Sequence, residues 1–196
     1  MEVGGPAAMF TRPDTGAAMV SYPAPTYSAA KGMFESIARL KTAFIHPIRV
    51  ELCRPIQYHR YTTNYGGPLR KGNQVAAGAP YQLAAVILID VCYRFYGVIE
   101  AAAAPSETTN HLHALQEIFA RRLQRGQSFR SMCLGWSEFV PSYVGPLRPE
   151  TQIDTTINLA VGSMLHSVFD QPVSGKADPV FAHGVEIRNG VLEYAR

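Results

Sequence analysis

The sequence has no apolar run long enough to cross a membrane: its longest, from Leu83 to Ile89, falls far short of the ~18 residues that a spanning helix needs. Its three cysteines, Cys53, Cys92 and Cys133, are too few and too widely spaced for a disulfide framework or a CxxC metal site. It also lacks a P-loop, a GxGxxG motif and a paired-carboxylate constellation. We therefore expect a cytoplasmic protein that uses no metal or other cofactor and has no membrane partner.

Lysine is scarce: fourteen of the 18 basic residues are arginine. Arginine binds phosphate in a bidentate manner and stacks on nucleobases, which lysine does less well. A GC-rich genome that prefers arginine codons would produce the same bias. The net charge of +3 is unevenly distributed, however, because residues 31–130 carry +7 whereas residues 1–30 and 131–196 carry −1 and −3. Such asymmetry is expected when one part of a protein faces a polyanion.

The apolar periodicity predicts a first helix that begins after Thr26 or Ser28 and ends at Pro47. Its apolar stripe repeats every three or four residues: Ala30, Met33, Phe34, Ile37, Leu40 and Phe44. An alternating pattern that follows Pro47 predicts a half-buried strand.

A second helix is predicted to follow Thr108 or Thr109, with Gly126 just beyond its last turn. The Asn189-Gly190 pair predicts a tight hairpin near the end of the chain. Taken in order, the elements read β-α-β, a long excursion, β-α-β and a short β tail. This order predicts an α+β, ferredoxin-like βαββαβ fold, which RNA-recognition modules share with metabolic enzymes and regulators. A regulator that binds a small molecule and has no RNA role is therefore one interpretation of the fold.

Residues 57–80 are unusually polar and glycine-rich for a segment inside a compact domain. Such a stretch is either a functional loop or a protruding hairpin. Its interleaved arginine and tyrosine residues suit contact with phosphate and stacking on bases, although an ordinary surface loop would have the same composition. The candidate RNA contacts in this segment are Arg60, Tyr61, Tyr65, Arg70 and Lys71.

A series of short motifs runs along most of the chain. They are Phe10-Thr11-Arg12-Pro13, Val20-Ser21-Tyr22-Pro23, Pro25-Thr26-Tyr27, Lys31-Gly32-Met33, Glu35-Ser36-Ile37, Pro55-Ile56, Asp90-Val91, Tyr93-Arg94, Ile99-Glu100-Ala101, Ile118-Phe119, Arg121-Arg122, Arg125-Gly126-Gln127-Ser128-Phe129, Leu134-Gly135, Glu138-Phe139, Met164-Leu165 and Asn189-Gly190-Val191. In this order they resemble the CRISPR-associated Cas-five family of the RAMP superfamily, and within it the type I-C (Dvulg) branch. At 196 residues the chain is a compact variant of that branch.

The resemblance implies an RNA-recognition-like domain over residues 1–130, with a β-hairpin thumb at about 57–80, and a small antiparallel β domain over residues 131–196. Such subunits cap one end of a class 1 CRISPR effector complex (Cascade) in prokaryotic antiviral and anti-plasmid defence. They bind the 5′ handle of the guide crRNA and pack against backbone (Cas-seven type) and large (Cas-eight type) subunits. The resemblance implies that such a subunit interacts with target DNA only indirectly, through the assembled complex.

Besides the thumb, we expect RNA contacts from residues close to the two helices. Those near the first helix are Arg12, Tyr22 and Lys31, and those near the end of the second are Arg121, Arg122, Arg125 and Gln127. The arginines near the second helix would also be consistent with an ordinary solvated helix face.

In the I-C branch the same subunit trims the precursor guide without a metal, by attack of a 2′-hydroxyl on the adjacent phosphate. That reaction needs a base, an acid and a cation. The family supplies them as an aromatic residue or histidine directly after Glu-x-Ile and as a Lys-His pair at the start of the second helix. In this sequence the matching positions hold Ala38, Ala114 and Leu115. We therefore expect a guide-RNA clamp that does not cleave; the alternative is a metal-independent endoribonuclease with a rearranged site that uses His111 or His113.

Overall fold

The computed structural model describes residues 1–16, 18–65, 72–78, 81–102, 110–168 and 177–194. Within these ranges the strands are β1 (Glu2–Ala8), β2 (Met19–Val20), β3 (Ala43–Leu52), β4 (Tyr58–Tyr65), β5 (Tyr81–Ala101), β6 (Tyr143–Gly145), β7 (Leu159–Ser167), β8 (Val180–Arg188) and β9 (Val191–Glu193). The helices are α1 (Tyr27–Ile37), α2 (Gly72–Ala76) and α3 (His111–Gln124).

The described strands form one sheet with the order β6-β1-β5-β3-β9-β8-β7, and the short β2 and the hairpin strand β4 also pair with β5. Every pairing is antiparallel except that of β2 with β5. The predicted α+β class is confirmed. Along the chain, β2 lies between β1 and α1, and β4 and α2 lie between β3 and β5; the ferredoxin-like βαββαβ arrangement stays a prediction.

Helices α1 and α3 pack on the same face of the sheet. The ring of Phe34 in α1 lies 6.4 Å from the ring of Phe95 in β5 and 5.7 Å from the ring of Phe119 in α3. Because successive side chains of a strand point to opposite faces, Arg94 and Tyr96 project from the other face of β5. The sheet therefore has an apolar face beneath the helices and a polar face opposite.

Helix α1 begins where the sequence indicates, because the Thr26 hydroxyl caps it by accepting a hydrogen bond from the Ala29 N–H at 3.2 Å. Its predicted end is wrong. The helix stops at Ile37, and Phe44 and Pro47 lie in β3. Nine residues of β3 pair with β5, and the register shifts just after Pro47, where a missing N–H donor is tolerated. Pairing with the long central strand β5 thus determines the conformation of this segment, although Leu40 and Phe44 continue the apolar spacing of α1.

Helix α3 is capped by Asn110, whose side chain accepts from the His113 N–H at 3.2 Å; Thr108 and Thr109 lie outside the described residues. The predicted role of Gly126 is confirmed, since it follows the C-cap with φ 63°. The hairpin predicted at Asn189-Gly190 is also confirmed. These two residues join β8 to β9 with φ values of 50° and 76°, as a type I′ turn requires.

The C-terminal strands continue the main sheet. Leu192 of β9 pairs with Val50 of β3 on one side and with Ile187 of β8 on the other. The same hydrophobic core contains residues from both ends of the chain, such as Val3 and Ile187. A boundary between residues 130 and 131 stays a prediction.

Candidate nucleic-acid interface

The three positions at which the resemblance places processing residues carry no group that could transfer a proton. Ala38 directly follows the last residue of α1 and is buried, and Leu115 is fully buried beneath α3. Ala114 lies beside it on the same helix. Ala114 is half-buried, and the aliphatic side chains at all three positions cannot exchange a proton.

The alternative histidines lie in the first turn of α3. His113 is exposed, with its Nε2 3.9 Å from a carboxylate oxygen of Glu117 one turn later. His113 lines a cavity together with Phe34 of α1, whereas the end of α1 is contacted further along α3, where Arg122 Nη1 donates to the Ile37 carbonyl at 2.9 Å. At ~1.5 Å of rise per residue, the helix separates His113 from Arg122 by about 14 Å along its axis. Along the helix axis, His113 is thus about two and a half turns, and His111 about three turns, from the hydrogen bond to Ile37, the residue before Ala38.

The predicted cations near the end of α3 do come together. We call Arg121, Arg122, Arg125 and Gln127 the basic end of α3. Arg122 is half-buried and fastens α3 to α1, whereas Arg121, Arg125 and Gln127 are exposed. Cations at a helix C-terminus are stabilised by the helix dipole, so part of this cluster serves the helix itself. The guanidinium groups of exposed arginines are chemically suited to bind phosphate.

Sequence reasoning missed two neighbours of this cluster, Phe129 and Arg130. Their backbone N–H groups both donate to the Ser36 carbonyl, at 2.7 and 3.1 Å, so the loop after α3 is held on the end of α1. Phe129 is 56% exposed, and the Arg130 guanidinium lies 5.6 Å from the centre of its ring. Phe129 stands in one of the sequence motifs, but only its exposure marks it as a surface residue.

The thumb candidates divide into residues on the surface and residues in contact with the core. Arg60 of β4 is exposed. Tyr61 packs edge-on against Phe139 at 5.6 Å, and Phe139 in turn stacks on Trp136 at 6.0 Å, so the root of the hairpin is held by an aromatic cluster. Arg70, Lys71 and the side chain of Tyr65 lie outside the described residues.

Of the three candidates beside α1, two are in contact: the Arg12 guanidinium lies 5.6 Å from the centre of the Tyr22 ring. Tyr22 is buried, and its hydroxyl accepts a hydrogen bond from the Leu165 N–H at 3.1 Å. Arg12 donates two hydrogen bonds to Asp14, at 2.7 and 3.1 Å, and these bonds hold the pKa of Asp14 below its usual value. Lys31 is half-buried, with its ammonium 5.4 Å from the centre of the Phe44 ring.

The polar face of the sheet contains a buried ion network around Glu2, which sequence reasoning also missed. Arg148 binds the carboxylate through Nε at 2.7 Å and Nη2 at 2.6 Å, Thr151 donates at 2.8 Å, and Arg94 lies 3.5 Å away. Burial by itself raises the pKa of Glu2, but the hydrogen bonds from the Arg148 backbone, Thr151 and the Arg148 side chain lower it below its usual value. The network fastens the loop after β6 across the sheet.

Two further properties bear on the site. In the part of the chain that the structure describes, no three side chains of His, Cys, Asp or Glu are grouped so that they could hold a metal ion. None of the helices in those ranges has the length and apolar character needed to cross a membrane.

A family model described as "CRISPR-associated protein (Cas_Cas5)", in its Cas5d form, matches residues 1–189. The chain is 32% identical to the "CRISPR pre-crRNA endoribonuclease Cas5d" of Thermus thermophilus, an alignment that covers 98% of this chain and 89% of that protein. A solved structure titled "Crystal Structure of CRISPR-associated Protein" has a TM-score of 0.74 at 21% identity. The alignment covers 100% of this chain and 90% of that chain. A chain of a "CRISPR RNA-guided surveillance complex" has a TM-score of 0.51 at 11% identity, with 98% of this chain and 86% of that chain covered. At these identities the two structures show the shared fold.

Proposed function

The chain belongs to the CRISPR-associated Cas5 family, in its Cas5d branch, and from this premise we propose that it binds the 5′ handle of a guide crRNA as a capping subunit of a class 1 CRISPR effector complex. The backbone (Cas-seven type) and large (Cas-eight type) subunits are its protein partners, and target DNA reaches it only through the assembled complex. The complex acts in the prokaryotic cytoplasm, in antiviral and anti-plasmid defence.

One observation carries the proposal: the exposed basic end of α3 stands beside an exposed aromatic ring. Among the described residues, no carboxylate pairs with Arg121, Arg125 or Arg130. Arginine beside an aromatic ring is the combination that single-stranded nucleic acid requires, because it offers contacts to both phosphate and base. The exposed Arg60 of β4 adds a further cation on the thumb.

Salt dependence of RNA binding tests this function. Affinity for a labelled single-stranded repeat RNA should fall as salt rises, because each phosphate contact releases counterions. Changing Arg121 and Arg125 together to alanine should reduce the slope of log affinity against log salt by about 1.4, at ~0.7 for each lost phosphate contact. Arg188→Ala is the matched control, because this exposed arginine is already paired with Glu186 at 2.6 Å on β8. Wild-type protein that does not bind the RNA would contradict the proposal.

The name of the Thermus relative supports a second candidate function, metal-independent cleavage of precursor crRNA. The buried Ala38 and Leu115 argue against it, because neither can exchange a proton. Repeat RNA incubated with the protein in EDTA should therefore be bound and not cut, and His111→Ala and His113→Ala should bind like the wild type. If the wild type cleaves the RNA at a single position and either histidine variant does not, the protein is a nuclease with a rearranged site, and the clamp without cleavage is wrong.

A further inference from the structure

Phe129 is an exposed aromatic side chain with a fixed backbone position. It is 56% exposed, although its backbone N–H donates to the Ser36 carbonyl at 2.7 Å. The next residue donates to the same oxygen at 3.1 Å, so the ring is presented from an ordered loop. A large apolar ring exposed on such a support is available to an external flat partner.

A small cavity opens next to this loop. Its volume is about 240 Å³, below the range of about 300–1,000 Å³ typical of sites for drug-sized ligands. Leu123, Met132 and Val144 supply apolar lining, and Gln127 and Ser128 supply polar groups. An apolar site of this size with amide and hydroxyl groups suits one flat heterocycle whose edge both donates and accepts hydrogen bonds.

The charge around the ring favours a nucleic acid over a protein segment. Arg122 lines the cavity, Arg125 stands at the end of α3, and the Arg130 guanidinium lies 5.6 Å from the Phe129 ring centre. The Arg130 guanidinium beside the ring, and the basic end of α3 a few residues earlier in the chain, match a base whose flanking phosphates are negative. Among the described residues no carboxylate pairs with Arg125 or Arg130, so both guanidinium groups are open to phosphate.

We propose that Phe129 is the stacking platform for one unpaired base of the bound RNA, with the edge of that base at the neighbouring cavity and its phosphates on the basic end of α3. This inference rests on the proposed function, since it assigns a base subsite to the same RNA-binding surface. Stacking does not discriminate strongly between bases, so the subsite selects for an unstacked nucleotide more than for a particular base.

Two substitutions of one residue test the platform. Phe129→Ala should weaken binding of a single-stranded repeat RNA by about 5- to 150-fold, the effect of losing one base–aromatic stack. Phe129→Trp should bind like the wild type, because it restores a flat ring. The matched control is Phe181→Ala, which removes another exposed phenylalanine, 39% exposed and located on β8.

The salt response separates stacking from a general loss of charge or folding. Phe129→Ala should leave the slope of log affinity against log salt unchanged, whereas Arg125→Ala should lower it by about 0.7. With 2-aminopurine placed at successive positions of the RNA, the wild type should quench one position, and Phe129→Ala should restore its fluorescence. Circular dichroism and thermal melting of each variant establish that it is folded.

The outcomes distinguish this inference from the proposed function. If the wild type does not bind the RNA, the proposed function fails and the subsite fails with it. If the wild type binds with the expected salt slope but Phe129→Ala binds equally well, only the stacking platform is overturned. A loss of assembly with purified partner subunits, without a loss of RNA affinity, would likewise overturn it and make Phe129 a protein contact.

Discussion

Glu2 illustrates how one buried charge fixes the position of a loop. Its side chain is fully buried, and hydrogen bonds or ion pairs from Arg94, Arg148 and Thr151 surround the carboxylate. A buried ion pair adds little net stability compared with an apolar replacement, but removal of one partner leaves the other charge without compensation. The network is therefore sensitive to single substitutions.

Glu2→Gln should lower the free energy of unfolding by about 3 kcal/mol at pH 7, because Arg94 and Arg148 would lose the charge that balances them. Urea denaturation measures the loss. Glu186→Gln is the control: its pair with Arg188 is short, 2.6 Å, but both side chains are largely exposed, so no measurable change is expected.

The free energy of unfolding measured at acidic pH tests the direction of this charge effect. The pKa of Glu2 is lowered in the folded protein from an ordinary value of 4.5, so its contribution is complete above that pH and is lost as the pH falls through the folded pKa. The difference between wild type and Glu2→Gln should therefore shrink on acidification. A difference that stays constant down to the acid transition would show that Gln acts through packing and not through charge.

At the level of secondary structure, local sequence signals predicted where several elements begin and end. They failed where the conformation of a segment depends on the strand with which it pairs. The start of α1 at Thr26, the residue after α3 at Gly126 and the turn at Asn189-Gly190 each depend on one or two residues and their neighbours. The extension of α1 to Phe44 failed because strand pairing with β5, which joins residues about fifty positions apart, is invisible to a local pattern.

Two glycines with positive φ provide a prediction at this scale. Gly135 has φ 91°, and a Cβ there would lie 1.8 Å from the Met9 carbonyl oxygen, whereas Gly126 has φ 63° and nothing within 4 Å. Gly126→Ala should cost about 1–2 kcal/mol, the penalty for left-handed backbone alone. Gly135→Ala should cost at least about 4 kcal/mol, because the loop that holds Leu134 against β1 must also move.

Thermal denaturation of the two alanine variants compares these costs directly. Equal melting temperatures would contradict the prediction, because they would mean that the close approach to Met9 relaxes without cost.

Across the whole molecule, the candidate interface was predictable where it depends on composition and unpredictable where it depends on burial. The uneven charge and the motif containing Arg125 and Gln127 both indicated a basic surface, and the fold brings these residues together at the end of α3. Whether an aromatic residue is in the core or on the surface depends on distant chain segments. The Tyr22 ring is buried, and its hydroxyl accepts a hydrogen bond from the distant Leu165 N–H. The Phe129 ring is exposed, and its backbone N–H donates to the distant Ser36 carbonyl.

The unity of the sheet leads to a prediction about folding. Ile187, Leu192 and Val50 pair in succession across β8, β9 and β3, so the C-terminal strands share hydrogen bonds and core with the N-terminal half. Calorimetry should therefore show one unfolding transition whose van't Hoff and calorimetric enthalpies agree. If residues 131–196 instead form an independent domain, two transitions should be resolved.

Ile187→Ala sharpens this test, because the residue is buried in the part of the core that the C-terminal strands contribute. The substitution should remove about 2–5 kcal/mol and shift the single transition as a whole to lower temperature. Val180→Ala on the same strand is exposed and should leave the transition in place. In the opposite outcome, Ile187→Ala lowers the temperature of only one part of the heat absorption and leaves the rest unchanged. The pairing of β9 with β3 would then not couple the two halves, and the boundary at 130 would mark a true domain division.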